Sequence, residues 1–150
     1  MDNLEILDSI RSLTSSAPDA TALLAKAVSL LRRERPHYHW VGVYLLEGQE
    51  LVLGPYVGKP TTLTRIPLHK GICGAAASTG QTVIVDDVNA DSRYLACSLE
   101  TRSEIVVPIR YQDRILGEID IDSDQPAAFT HHDRDLLEGV AILLAEKMKH

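Results

Sequence analysis

The stretch Glu104 to Asp122, EIVVPIRYQDRILGEIDID, decides the fold. Two apolar runs flank the turn signal Tyr-Gln-Asp-Arg, and the second run ends in alternating acids and isoleucines. Side chains along a strand point to opposite faces in turn. Glu118, Asp120 and Asp122 therefore share one face, and Ile119 and Ile121 the other. The first arm alternates as well, with Ile105, Val107 and Ile109 opposed to Glu104, Val106, Pro108 and Arg110. Pairing follows from this pattern, because a one-residue slip would flip every side chain. A two-residue turn would set Ile105 against Asp120 and bury acids among aliphatics. A three-residue loop, Gln112 to Arg114, sets Ile105 against Ile121 and Glu104 against Asp122, with Asp120 one step along. The expected result is a hairpin carrying three carboxylates on one face. The plainer reading of such a face is a water-washed antiparallel surface; the other is a site.

Outward from the hairpin, the chain gives an α+β plan. Leu4, Leu7, Ile10 and Leu13 mark a helix over residues 3–14, and Pro18 suits the first turn of a second helix that runs to about Glu34 before Pro36. His39 to Leu46 reads as a strand, with Val41, Val43 and Leu45 on one face and Trp40, Gly42 and Tyr44 on the other. Glu50 to Tyr56 follows as a second strand, and Thr62 to Leu68 as a third. Gly71 to about Gly80 reads as a short Gly/Ala helix and Thr82 to Val85 as a brief strand. From Asp86 to Thr101 the periodicity dissolves, and loops of this length in compact domains are usually functional. Thr130 and Asp133 form an acidic capping box that opens a final helix along Leu136, Leu137, Val140, Leu144 and Met148. A single domain over residues 1–150 is expected. It should be an antiparallel sheet with terminal helices on one face and ligand-site loops over the other.

Composition bounds the class of function. The chain is 45% hydrophobic and 24% charged, the balance of an ordinary soluble protein. A net charge of -6 argues against nucleic acid or an anionic membrane as partner. No apolar run approaches the roughly 18 residues of a membrane span. The N-terminus lacks the basic and apolar regions of a signal peptide. Two cysteines make no disulfide scaffold and suit a reducing cytoplasm.

Several residues are candidates for chemistry. Cys73 sits near the start of the Gly71 helix, where a thiolate would gain from the helix N-terminus. Cys97 lies in the long loop, seven residues before Glu104. A free cysteine is otherwise simply a small buried residue. The histidines have no helical i, i+4 spacing and no Cys-x-x-Cys is present, so no metal is expected. Trp40 and Tyr44 share a strand face that is either core or the wall of a pocket.

Taken together, the stretches WVGVYLL (40–46), LVLGPYVGK (51–59), RIPLHKGICGAA (65–76), YLAC (94–97), SEIVVPI (103–109) and ILGEIDIDS (115–123) resemble a GAF domain. More closely, they resemble the free methionine-(R)-sulfoxide reductase branch of that superfamily. The resemblance implies that Cys97 attacks the sulfoxide sulfur of free methionine-(R)-sulfoxide and is left as a sulfenic acid. A second cysteine then condenses with it, and thioredoxin reduces the disulfide. It assigns catalytic roles to Cys97, Cys73, Glu104 and Asp122, and substrate binding to Trp40, Asp120, Tyr44 and Tyr56. It further implies no bound cofactor and a homodimer. Many members carry a third cysteine just before the RIP string, where this chain has Thr61-Thr62-Leu63-Thr64. Cys73 matches the remaining family cysteine and is the intramolecular partner left for Cys97. The rival expectation is a non-catalytic GAF sensor module that binds a small molecule.

Overall fold

A computed structural model describes residues 1–95 and 99–149. Among these residues the elements run α1 (Asn3–Ser16), α2 (Ala20–Glu34), β1 (Trp40–Glu47), β2 (Glu50–Val57), β3 (Arg65–Pro67), α3 (Gly71–Thr79), β4 (Val83–Val85), a 3₁₀ turn (Val88–Ala90), β5 (Ser103–Tyr111), β6 (Arg114–Ser123) and α4 (His131–Met148). The six strands form one antiparallel sheet in the order β3-β2-β1-β6-β5-β4, so the acid-bearing strand β6 is central. The expected α+β, GAF-like plan is the one observed.

Local chemistry explains where the helices start. Thr130 and Asp133 cap α4 reciprocally, as the sequence predicts, and Asp2 and Glu5 do the same for α1, a box the sequence reading did not single out. Asp19 caps α2 by accepting from the amide of Ala22 at 2.9 Å. That places Pro18 outside the helix and not in its first turn, a correction to the expectation above. The third strand is also shorter than Thr62 to Leu68, because the Thr64 amide turns back to the Thr62 carbonyl at 3.0 Å. No helix among the described residues is long and apolar enough to cross a membrane.

The hairpin register is the one the hydrophobic pattern demands: Ile105 faces Ile121, Val107 faces Ile119, and Glu104 faces Asp122. The device that produces it differs from expectation. Tyr111 pairs with Arg114, so the turn holds only Gln112 and Asp113, with Gln112 at φ 56°. The odd residue is instead accommodated as a bulge, since Ile109 faces Gly117 while Arg110 faces Ile115. Leu116 is the extra residue. A two-residue turn plus one bulged residue has the parity of a three-residue loop. The aliphatic side chains of β1, β5 and β6 then meet Ile6, Ile10, Leu23, Leu31, Leu137 and Val140 from α1, α2 and α4 in the main core. Each such side chain contributes roughly 1.5–3 kcal/mol on burial.

Candidate active site

The opposite face of the same strands carries the polar residues. Across three strands the register aligns Trp40, Asp122 and Glu104 in one row, Gly42, Asp120 and Val106 in the next, and Tyr44, Glu118 and Pro108 in the third. Helix α3 and the segments after β2 and β4 cover this face, so it is not water-washed. Glu104 is 6% exposed, Asp120 5%, Asp122 3% and Glu118 0%. A small pocket lies between face and cover, with Trp40, Tyr44, Cys73, Glu104, Asp120 and Asp122 all on its wall. A second pocket adjoins it through the shared residues Trp40, Thr61 and Asp122. At its edge Lys59 forms an ion pair with Glu100, linking the loop after β2 to the segment before β5.

The aromatic wall is built by small residues beside it. A Cβ on Gly42 would lie 2.4 Å from the Trp40 ring, so glycine allows the indole to lie against the strand. Gly58, just past the end of β2, approaches the same indole at φ 134°, a conformation suited to glycine. The indole NH donates to the Lys59 carbonyl at 3.0 Å, and the Tyr44 hydroxyl donates to the Leu63 carbonyl at 2.7 Å. Tyr56 stands outside the cavity lining. It stacks on Trp40 at 5.5 Å between ring centroids and an interplanar angle of 21°.

Burial dominates the electrostatics. It pushes the Glu104 carboxyl well up, and the charges of Asp120 and Asp122 push it further. Burial raises Glu118 well above the ordinary carboxyl range as well. Asp120 is raised by burial and partly held down by hydrogen bonding with Glu104 and Cys73. The Cys73 thiol donates to Asp120 Oδ2 at 3.5 Å. Its pKa is raised well above the usual thiol value, first by burial and then by Asp120, Glu118 and Glu104. The expected gain from the α3 N-terminus is therefore overridden, and Cys73 rests as a neutral thiol.

Most of the residues singled out from the sequence thus surround one cavity, Tyr56 standing behind Trp40. Cys97 lies outside the described residues; Tyr94 and Leu95, just before it, line the cavity. Arg93 is engaged by Asp91 through contacts of 2.6 and 3.0 Å, which hold that carboxyl down at about 2. Glu118 is the functional-face residue that sequence reasoning left out of the site. The signal was present, because the alternation puts it on the same face as Asp120 and Asp122.

A GAF domain model matches residues 19–148. The free methionine-R-sulfoxide reductase of Escherichia coli is 38% identical over 128 residues, covering 85% of this chain and 75% of that protein. The structure of free methionine-R-sulfoxide reductase from Neisseria meningitidis in complex with its substrate superposes with a TM-score of 0.93 at 38% identity. It covers 98% of this chain and 88% of that one. A type II free methionine-R-sulfoxide reductase from Thermoplasma acidophilum is 42% identical at a TM-score of 0.84, covering 86% of this chain and 92% of that one. With model, sequence and structure in agreement over nearly the whole length, the chain belongs to the GAF domain family and, within it, to the free methionine-R-sulfoxide reductases.

Proposed function

We propose that the protein reduces free L-methionine-(R)-sulfoxide to methionine, with Cys97 as the attacking thiolate. The observation that carries this reading is a row of buried carboxyl groups beside an indole on one sheet face, lining a pocket whose opposite side carries Cys73. A sulfoxide oxygen is a poor leaving group until it is protonated, so an acid held near it is required. Glu104 supports that role: removal from water and crowding against Asp120 and Asp122 both push its carboxyl towards the protonated form. The same cluster offers an ionised carboxylate to the substrate ammonium, a group that peptide-bound methionine lacks. The Trp40 face accommodates the methyl and methylene groups.

The thiolate sulfur of Cys97 attacks the sulfoxide sulfur and the oxygen takes a proton; the oxygen then passes to the Cys97 sulfur as its bond to the methionine sulfur breaks, leaving a sulfenic acid on Cys97 and releasing methionine. The Cys73 thiol then attacks the Cys97 sulfur, forming a disulfide and releasing water. Its resting neutrality suits the second step better than the first, with Asp120 in place to take the thiol proton. Thioredoxin returns both cysteines to thiols.

Titrating thiols before and after adding racemic free methionine sulfoxide tests the reading. Loss of two thiols per chain, with consumption ending at half of the racemate under recycling, is the expected result. Turnover of N-acetylmethionine sulfoxide at a comparable rate would sink it, because a site with buried acids rejects a substrate that leaves them unpaired. Tight binding of the sulfoxide with no loss of thiols would point to a sensor module instead.

A further inference from the structure

The short-range spacing of the sequence offers no metal site, but the fold assembles one from three separate elements. Cys73 of α3, Glu104 of β5 and Asp120 of β6 each bring one ligand atom within 4.8 Å of the other two, and all three residues are buried. We propose that these residues form a binding site for one zinc-class divalent cation inside the substrate cavity.

The geometry and the donor chemistry agree. A tetrahedral centre with a metal–sulfur bond of about 2.3 Å and a metal–oxygen bond of about 2.0 Å sets sulfur and oxygen about 3.5 Å apart. The Cys73 Sγ to Asp120 Oδ2 distance is 3.5 Å. The other oxygen of Asp120, Oδ1, is buried and has no hydrogen-bond partner among the described residues. Beside the three ligands lies Glu118, fully buried, whose carboxyl oxygens make no geometric hydrogen bond among the described residues although the Cys73 thiol is close enough to interact with them. Buried polar groups are nearly always satisfied, so orphaned carboxyl oxygens next to a thiol point to a positive ligand. One sulfur and two oxygens suit zinc or cobalt rather than magnesium or calcium, which prefer oxygen alone. Among the described residues three side chains supply ligands, one fewer than a four-coordinate ion takes.

Binding is an exchange of metal for protons. The cation displaces the thiol proton of Cys73 and any proton on the two carboxyls, so affinity rises with pH. Glu104 and Asp120 also serve the substrate in the function proposed above. On that reading, metal and free methionine sulfoxide exclude one another. The metal site itself stands on the ligand geometry and not on the reaction.

The test is a titration of the reduced, full-length protein with Co²⁺, followed by absorption. One equivalent should produce the near-ultraviolet band of a cobalt–thiolate bond and the intense visible bands of a four-coordinate ion, and Zn²⁺ should abolish both. Cys97→Ser should keep the thiolate band, and Cys73→Ser should lose it. Asp120→Asn should weaken binding at least about tenfold, even though it conserves shape and fold by circular dichroism. A band that survives Cys73→Ser, or its absence from wild type at saturating Co²⁺, overturns the proposal. These readouts need no turnover, so a failed metal site and a failed reductase assignment are told apart. If the site binds cobalt but free methionine sulfoxide does not displace it, only the mutual exclusion falls.

Discussion

The two faces of β6 share one backbone and one alternation, yet they do opposite things. Ile119 and Ile121 are 1% and 0% exposed, and Asp120 and Asp122 are 5% and 3%, so exposure does not separate them. What separates them is the cover. Three helices, α1, α2 and α4, close over the isoleucines and fill the space with aliphatic side chains. Over the acids lie only the short helix α3 and connecting segments, and a cavity remains. A strand face becomes a site here because, among the described residues, a short helix and connecting segments cover it in place of three packed helices, while its burial is nearly that of the core.

That contrast can be broken most severely on the isoleucine side. Ile121→Ala should cost about 3 kcal/mol, near a hundredfold in the folding equilibrium, through lost transfer energy and a cavity that the helices cannot close. Thermal unfolding should fall by about 10 °C. Activity per folded molecule should be unchanged, and a matching fall in kcat would mean the two faces are not independent.

On the other face the signs reverse. Glu104→Gln keeps size and removes the proton donor, so kcat/KM for free methionine sulfoxide should drop at least about tenfold with no loss of melting temperature. Full activity in this variant at neutral pH would reduce the carboxyl cluster to packing.

Glu118 sharpens the comparison through pH. Its folded-state pKa is raised, so the folded protein holds a proton that the unfolded chain releases near pH 4.3. The associated stability is complete below that value and is lost as pH rises towards the folded-state pKa. Wild type should therefore lose melting temperature as pH rises above about 4.3 towards the folded-state pKa, and Glu118→Gln should flatten that slope and melt higher than wild type at its upper end. Melts in EDTA, which removes any metal, check this. Identical slopes in the two proteins would place the titrating group elsewhere.

The smallest effect belongs to Tyr56. Its ring stacks on Trp40 from outside the cavity. Tyr56→Ala should raise KM about threefold by loosening the indole, with kcat retained. A change in kcat instead would put Tyr56 nearer the reacting atoms than the structure does.

Much of this was legible because alternation is a local property. The shared face of Glu104, Asp120 and Asp122, the valine and tryptophan faces of β1 and the cap of α4 all follow from alternation or spacing within one hairpin, strand or helix start. Burial of the acids was not legible, since it depends on α3 folding back from thirty residues upstream of β5. The environment of Cys73 was hidden for the same reason. A helix N-terminus is visible in sequence, but the buried carboxyls that outweigh it arrive from β5 and β6. The metal ligands went unseen because searches by spacing find ligands on one element, and these come from three.

The bulge at Leu116 bears on how the gene for such a protein can change. Since it restores the parity that the two-residue turn removes, loss of this one codon would rotate β6 from Gly117 onward. Carboxylates would then face the helices and isoleucines the cavity. Insertions or deletions in the hairpin are therefore tolerable in pairs, or singly when turn and bulge trade a residue. Descendants of this chain can vary the tip freely in sequence, but not in odd and even.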